Sequence, residues 1–332
     1  GAGDEGRCGA WAWQGLYAVV PPLTLALFAF VAGAEWLWRV SGASPEIREH
    51  ALAYARMRPY GMAGLGVWMV LAAFFRGLGN TRTPLLATIV ANAVNALLAW
   101  ALVFGRLGLP AMGVAGAGLA TSIAEWVGAG ILVVALSLAP VKQRYATQPV
   151  RPDRQAIRRF LRTGLPIGGQ WVLDMSAFAI FTTLVARMGN TSMAAIQAMI
   201  SLLSMSFMQA IGIGLAATTL VGRYKGAGDL ASAVRSYHSA RKLGIVLATG
   251  IALLFVLAPD ALLSMYTNDA EVLRLGRPLL ALGAAFQLFD AVQIVAGGAL
   301  MILFALERLV LRASGIKVDH DPNAEDVLLS EA

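Results

Sequence analysis

The sequence predicts an all-α polytopic membrane protein built as two pseudo-symmetric helical lobes. Three observations predict it. Of 332 residues, 58% are hydrophobic and 14% are charged, whereas soluble domains carry about 25% charged residues. The apolar residues form continuous runs of about twenty or more, long enough to cross a bilayer core as helices. These runs are rich in Ala, Leu, Gly and Val and lack the polar/apolar alternation of barrel strands. Finally, the chain repeats itself at an offset of 225. Gly1-Ala2-Gly3-Asp4 recurs at 226–229, Thr24 meets Thr249, Phe30-Val31 meets Phe255-Val256, and Glu35 meets Asp260. Internal repeats of this kind mark secondary transporters.

Eight spans are expected, at 12–38, 58–76, 84–105, 113–139, 163–187, 192–222, 241–265 and 276–304. The third carries Asn92 and Asn95 on one face, a pattern that suits interhelical hydrogen bonding at least as well as cation binding. The fourth opens on a glycine-rich run and holds Glu125 near mid-span, either paired or facing a cavity. In the fifth, Gln170 and Asp174 lie four residues apart on one face, and Pro166 either frees a carbonyl or marks the helix start. The sixth carries a stripe of Gln197, Ser201, Ser204 and Met208, compatible with a cavity wall, and Met193, Met199, Met205 and Met208 suit either an adaptable drug surface or plain packing. In the eighth, Gln287, Asp290 and Gln293 recur every three residues.

Charge gives domains and orientation. The segment 140–162 is basic, with Lys142, Arg144, Arg151, Arg154, Arg158, Arg159 and Arg162 against one acid, Asp153. It divides an N-terminal lobe at 1–139 from a C-terminal lobe at 163–304, followed by a polar acidic tail at 305–332. With that linker cytoplasmic, 18 of the 26 Lys and Arg fall on the cytoplasmic side and eight on the other. The positive-inside rule then places both termini in the cytoplasm of a bacterial-type inner membrane. The repeat predicts twelve spans in all, two preceding residue 1 and two following the break after Leu300.

Several functions are excluded. The net charge of +7 is spent on membrane orientation, so no nucleic-acid partner is expected. The single Cys8 allows neither a disulfide within the chain nor a cysteine zinc site, and His50, His238 and His320 are scattered. The glycine-rich runs lack the Lys-Ser/Thr ending of a phosphate loop, and close helix packing accounts for them. The spans hold no nucleophile–base set, so the chain reads as a non-enzyme.

Phe74-Phe-Arg-Gly-Leu-Gly-Asn-Thr-Arg-Thr-Pro84, followed by Asn92, Asn95 and Gly113-Val-Ala-Gly-Ala-Gly-Leu-Ala120, resembles the multidrug and toxic compound extrusion (MATE) family. So do Gly164-Leu-Pro-Ile-Gly168 with Asp174, and Phe286-Gln-Leu-Phe-Asp-Ala-Val-Gln293. The resemblance covers roughly residues 1–300. It implies two lobes facing across a cavity and export of organic cations or aromatic drugs in exchange for Na⁺ or H⁺. In the NorM-type branch, acids on the seventh and tenth spans couple the cation, and these match Asp174 and Asp290, which are also the candidate Na⁺ ligands. Gln170, Gln287, Gln293, Gln197, Ser201, Met205, Asn92, Asn95 and Glu125 are the cavity candidates. The expected protein is a monomer in the lipid bilayer, with no cofactor beyond the coupling ion. A lipid-linked-precursor flippase of the same superfamily and an inactive transporter fragment are the alternatives.

Overall fold

The computed structural model describes the backbone of residues 4–40 and 45–314, and the side chains of those residues except 37–40, 45–48, 186, 190 and 298–314. All regular structure among them is helical: α1 (Cys8–Val40), α2 (Pro45–Met57), α3 (Pro59–Gly77), α4 (Arg82–Phe104), α5 (Gly113–Ser137), α6 (Ala139–Tyr145), α7 (Arg154–Ala186), α8 (Asn190–Gly226), α9 (Leu230–Leu257), α10 (Pro259–Leu263) and α11 (Ala270–Ser314), with a 3₁₀ turn at Glu5–Arg7 leading into α1. Seven helices among the described residues are long and apolar enough to cross a membrane, against eight expected. The one that drops out is α7, which starts in the basic linker and carries Gln170 and Asp174 at its middle.

The chain forms two compact units that divide inside α7, between Trp171 and Val172. Sequence charge placed the divide in the linker. The helix instead runs on from the linker unbroken, and its first half is tied to α1. Phe160 meets Trp11 edge to face, and the Arg159 guanidinium lies over the same indole.

In the first unit, α5 packs against α2, α3 and α4, and α3 also lies along α1. Leu71, Phe75, Ala87, Leu132 and Leu136 make its core. Small residues let backbones approach, as the membrane offers no hydrophobic drive between helices. At Gly128, for example, an added methyl would meet the Trp68 ring on α3. The linker is fastened rather than loose. Trp13 Nε1 donates to the Thr147 carbonyl (3.0 Å), Gln14 Nε2 to that of Arg151 (2.8 Å) and the Tyr17 hydroxyl to that of Val150 (3.0 Å). The Asp153 amide donates back to Gln14 Oε1 at 2.8 Å. One face of α1 thus pairs the backbone of an irregular segment, as burial demands.

The second unit is α8, α9 and α11 packed around one another, with α10 capping one end. Leu202, Phe255, Leu263 and Leu280 form one apolar cluster, and Ala217, Val221, Tyr237 and Val295 another. α11 continues through Ser314, so the first ten residues of the expected tail are helical in backbone; 315–332 lie outside the described residues.

The repeat is visible in the elements. Glu5 and Leu230 begin helical segments 225 residues apart, as do Pro45 and Ala270. Repeat-related Glu35 and Asp260 each hold an arginine on the following helical segment: Arg56 at 3.3 Å and Arg277 at 2.6 Å. Both pairs are exposed, so they fix register more than they stabilise.

Asp229 caps α9, accepting from the Ser232 amide at 2.9 Å. Hydrogen bonding by the Ser232 side chain, and then by this amide, holds its carboxyl below the usual carboxylate value. A depressed folded-state pKa gives stability present above the unfolded value and lost as pH falls through the folded one. Acidification through and below the ordinary carboxylate range is therefore expected to lower the amide-exchange protection factors, taken relative to the intrinsic rate at each pH, in the first turn of α9. Asp229→Ala should remove this pH dependence, and a wild-type profile in that variant would refute the cap.

Candidate functional site

The two intramembrane aspartates fall in the same unit. Asp290 projects from α11 and is half-buried; Asp174 projects from α7 and lies within electrostatic reach of it. Every residue from 158 through 181 is exposed, including Gln170 and Asp174. Asp174 is therefore a carboxylate on an open helix face, whereas Asp290 stands at the rim of a packed core.

The polar triplet on α11 does not sit on a single face as its spacing suggested. Three residues turn a helix about 300°, so each step drifts by about 60°. Gln287 points into the helix core, Asp290 lies at the boundary, and Gln293 is exposed. Gln287 is 5% exposed, and neither its Oε1 nor its Nε2 has a hydrogen-bond partner. The polar stripe of α8 faces away from the unit's core: Gln197, Ser204, Met205 and Met208 are exposed and Ser201 is half-buried. Ser201 and Ser204 donate back to the carbonyls of Gln197 and Ile200. Met199 packs in the core instead.

The remaining candidates belong to the first unit, and each has a local engagement. Asn92 is exposed and donates to the Thr88 carbonyl of its own helix at 2.9 Å. Asn95 Nδ2 donates to Thr121 Oγ1 at 3.2 Å, bridging α4 and α5. Glu125 is held by Arg58 in a fork: Nη1 to Oε2 at 3.1 Å and Nη2 to Oε1 at 2.8 Å, with side chains only 15% and 10% exposed. Arg58 is one of the eight Lys and Arg that the charge bias assigns to the non-cytoplasmic side, and nothing local in the sequence pairs it with Glu125. The available signal was an arginine directly before Pro59 at the start of a span. A cavity of about 570 Å³ beside it is lined by Leu27, Phe30, His50, Tyr54, Arg58 and Met62. Those walls carry no acid, so they offer a cation nothing to pair with.

Among the described residues, no three His, Cys, Asp or Glu side chains gather as metal ligands do. What the second unit does offer is Asp174 and Asp290, neither of which forms an ion pair among the described residues. Seven helices long and apolar enough to cross a bilayer, in two helical units, define an integral membrane protein. The chain belongs to the MatE family, whose profile matches residues 1–101 and 166–302. It is 31% identical over 256 residues to the "Probable multidrug resistance protein NorM" of Thermotoga maritima, covering 77% of this chain and 55% of that protein. With the protein of the same description from Pseudomonas putida it shares 30% identity over 289 residues, covering 83% and 62%. The chain thus spans little more than half the length of these relatives. Among solved structures, the eukaryotic MATE transporter AtDTX14 superposes with a TM-score of 0.77 at 17% identity, covering 91% of this chain and 66% of that one. A MATE structure in complex with MaD5 gives 0.71 at 19%, covering 91% and 72%. These likenesses establish the fold. Members of the family are transport proteins and not enzymes.

Proposed function

We propose that the chain supplies the coupling unit of a secondary active efflux transporter that exchanges Na⁺ or H⁺ for organic cations and multiple drugs. The observation that carries the reading is that Asp174 and Asp290 lie in one unit and neither forms an ion pair among the described residues. Coulomb repulsion between them favours any cation or proton that binds there. A cationic substrate competes for the same negative charge, and that competition links the two fluxes. The pairing of Glu125 with Arg58 narrows the unneutralised acids to these two. Acidic rather than basic charge also favours cationic substrates over the anionic headgroup of a lipid-linked precursor.

Under this reading the lipid bilayer is the medium, the inner membrane is the location and both termini face the cytoplasm, following the lysine and arginine bias. The working unit is a monomer, its substrates are cationic or aromatic small molecules, and the coupling ion is the only cofactor. The test is ethidium efflux from proteoliposomes containing this chain, driven by an imposed Na⁺ or pH gradient. Asp290→Asn is expected to lower gradient-driven efflux by about tenfold or more. Wild-type efflux in that variant would remove Asp290 from the mechanism.

A further inference from the structure

Gln287 poses a problem that the efflux reading leaves open. A buried primary amide with no hydrogen bond forfeits the solvation of both its ends. It sits between two apolar clusters along α11. Ala284, one turn before it, packs with Met199, Leu202 and Ala252; Ala291, one turn after it, packs with Ala210 and Ala248. No Asp, Glu, His, Lys or Arg occurs in the facing stretches 199–214 of α8 and 244–255 of α9. Among the described residues of α11, the nearest charged group along the helix is Asp290.

One polar group does lie at the same depth. Gly283 faces Leu203 and Met199, and Gly214 faces Ile294, so α8 and α11 ascend in step. Position 287 is then level with the turn containing Ser206, which is 6% exposed on the core side of α8. The seam between the clusters therefore holds a buried amide and a buried hydroxyl, with a carboxylate one turn away at its rim.

The chemistry of the amide selects the ligand. Oε1 can accept from a donor or hold a cation, but Nε2 needs an acceptor, and a metal ion cannot serve it. Water satisfies both, and a stable internal water needs two to four polar partners, which this seam supplies. We propose that Gln287 anchors an internal water shared with Ser206 and the Asp290 carboxylate. Gln287 is thereby the positioning residue that ties the Asp290 side chain to the α8/α9/α11 core. This rests on Asp290 being the coupling carboxylate. It adds that the rim acid is oriented from inside the helix packing, whereas Asp174 has no such support.

The test reads water directly and does not depend on transport. The full chain, deuterated and labelled with ¹⁵N-glutamine, shows side-chain amide signals from nine glutamines. Gln287→Met keeps the length of the side chain, removes the amide and so assigns the Gln287 signal. Should that variant not fold, Gln287→Glu gives the same assignment. The Gln287 amide is expected to cross-relax with water although it is shielded from bulk solvent. Ser206→Ala and Asp290→Asn should each shift that signal, and Gln293→Met should leave it in place. A resolved Gln287 signal without water cross-relaxation overturns the proposal, as does one that neither variant moves. Unchanged efflux in Asp290→Asn, with the water signal present, would instead count against the coupling role alone.

Discussion

Glu125→Leu is expected to destabilise the first unit by ~3–5 kcal/mol, because it strands the Arg58 guanidinium in a nearly dry site. The Ser122 hydroxyl donates to the Met57 carbonyl at 2.9 Å, and Trp126 Nε1 to the Tyr60 carbonyl at 2.7 Å. These two bonds and the ion pair clasp the α2–α3 junction onto α5. Equilibrium unfolding in mixed micelles measures the loss. The double variant Arg58→Met/Glu125→Leu removes both charges and should recover most of it, since a buried pair replaced by apolar side chains is often neutral or better. If the single variant unfolds like wild type, the pair is not buried in the membrane-embedded protein.

Gly61→Ala is the second large effect, at about 3 kcal/mol, the upper end for overpacking a tight core. Its methyl would run into the Glu125 carboxylate and the Ser122 backbone, neither of which is the loose end of a flexible side chain. α3 would have to withdraw from α5, which pulls Arg58 off its partner. The two substitutions should therefore be non-additive, because Glu125→Leu already gives up the contact that the methyl destroys. Additive losses in the same unfolding assay would mean that Gly61 and the ion pair act independently.

How much of this was visible in sequence depends on what each signal reports. Apart from α7, which mixes basic linker residues with its apolar half, apolar runs located the long helices, seven in all, because hydropathy responds to the thickness of the hydrocarbon core. It does not respond to helix length: α8 runs on to Gly226 and α9 begins at Leu230, through polar residues outside that core. α2 and α6 escaped notice for the same reason, being short helices in segments read as connections, whereas α10 lies within the expected span 241–265 and is a separate helix after the break at Ala258. The fastened linker depends on Trp13, Gln14 and Tyr17 meeting backbone more than 130 residues away, which no local pattern encodes. At the site, composition alone singled out Asp174 and Asp290, since a carboxylate in an apolar helix is conspicuous. Glu125 was conspicuous for the same reason, and its partner lies 67 residues away. Gln287, Asp290 and Gln293 read as one polar face, whereas the packing of α8 and α9 against α11 turns only Gln287 inward.

Asp174 and Asp290 acting as one cation-responsive site is the central claim. A double-mutant cycle in gradient-driven ethidium efflux tests it most directly, using wild type, Asp174→Asn, Asp290→Asn and the double variant in proteoliposomes. If the two carboxylates share the coupling ion, either single change should remove most of the gradient response, and the double variant should lose little beyond the worse single. Full gradient response in either single variant, or losses that simply multiply in the double, would contradict a shared site.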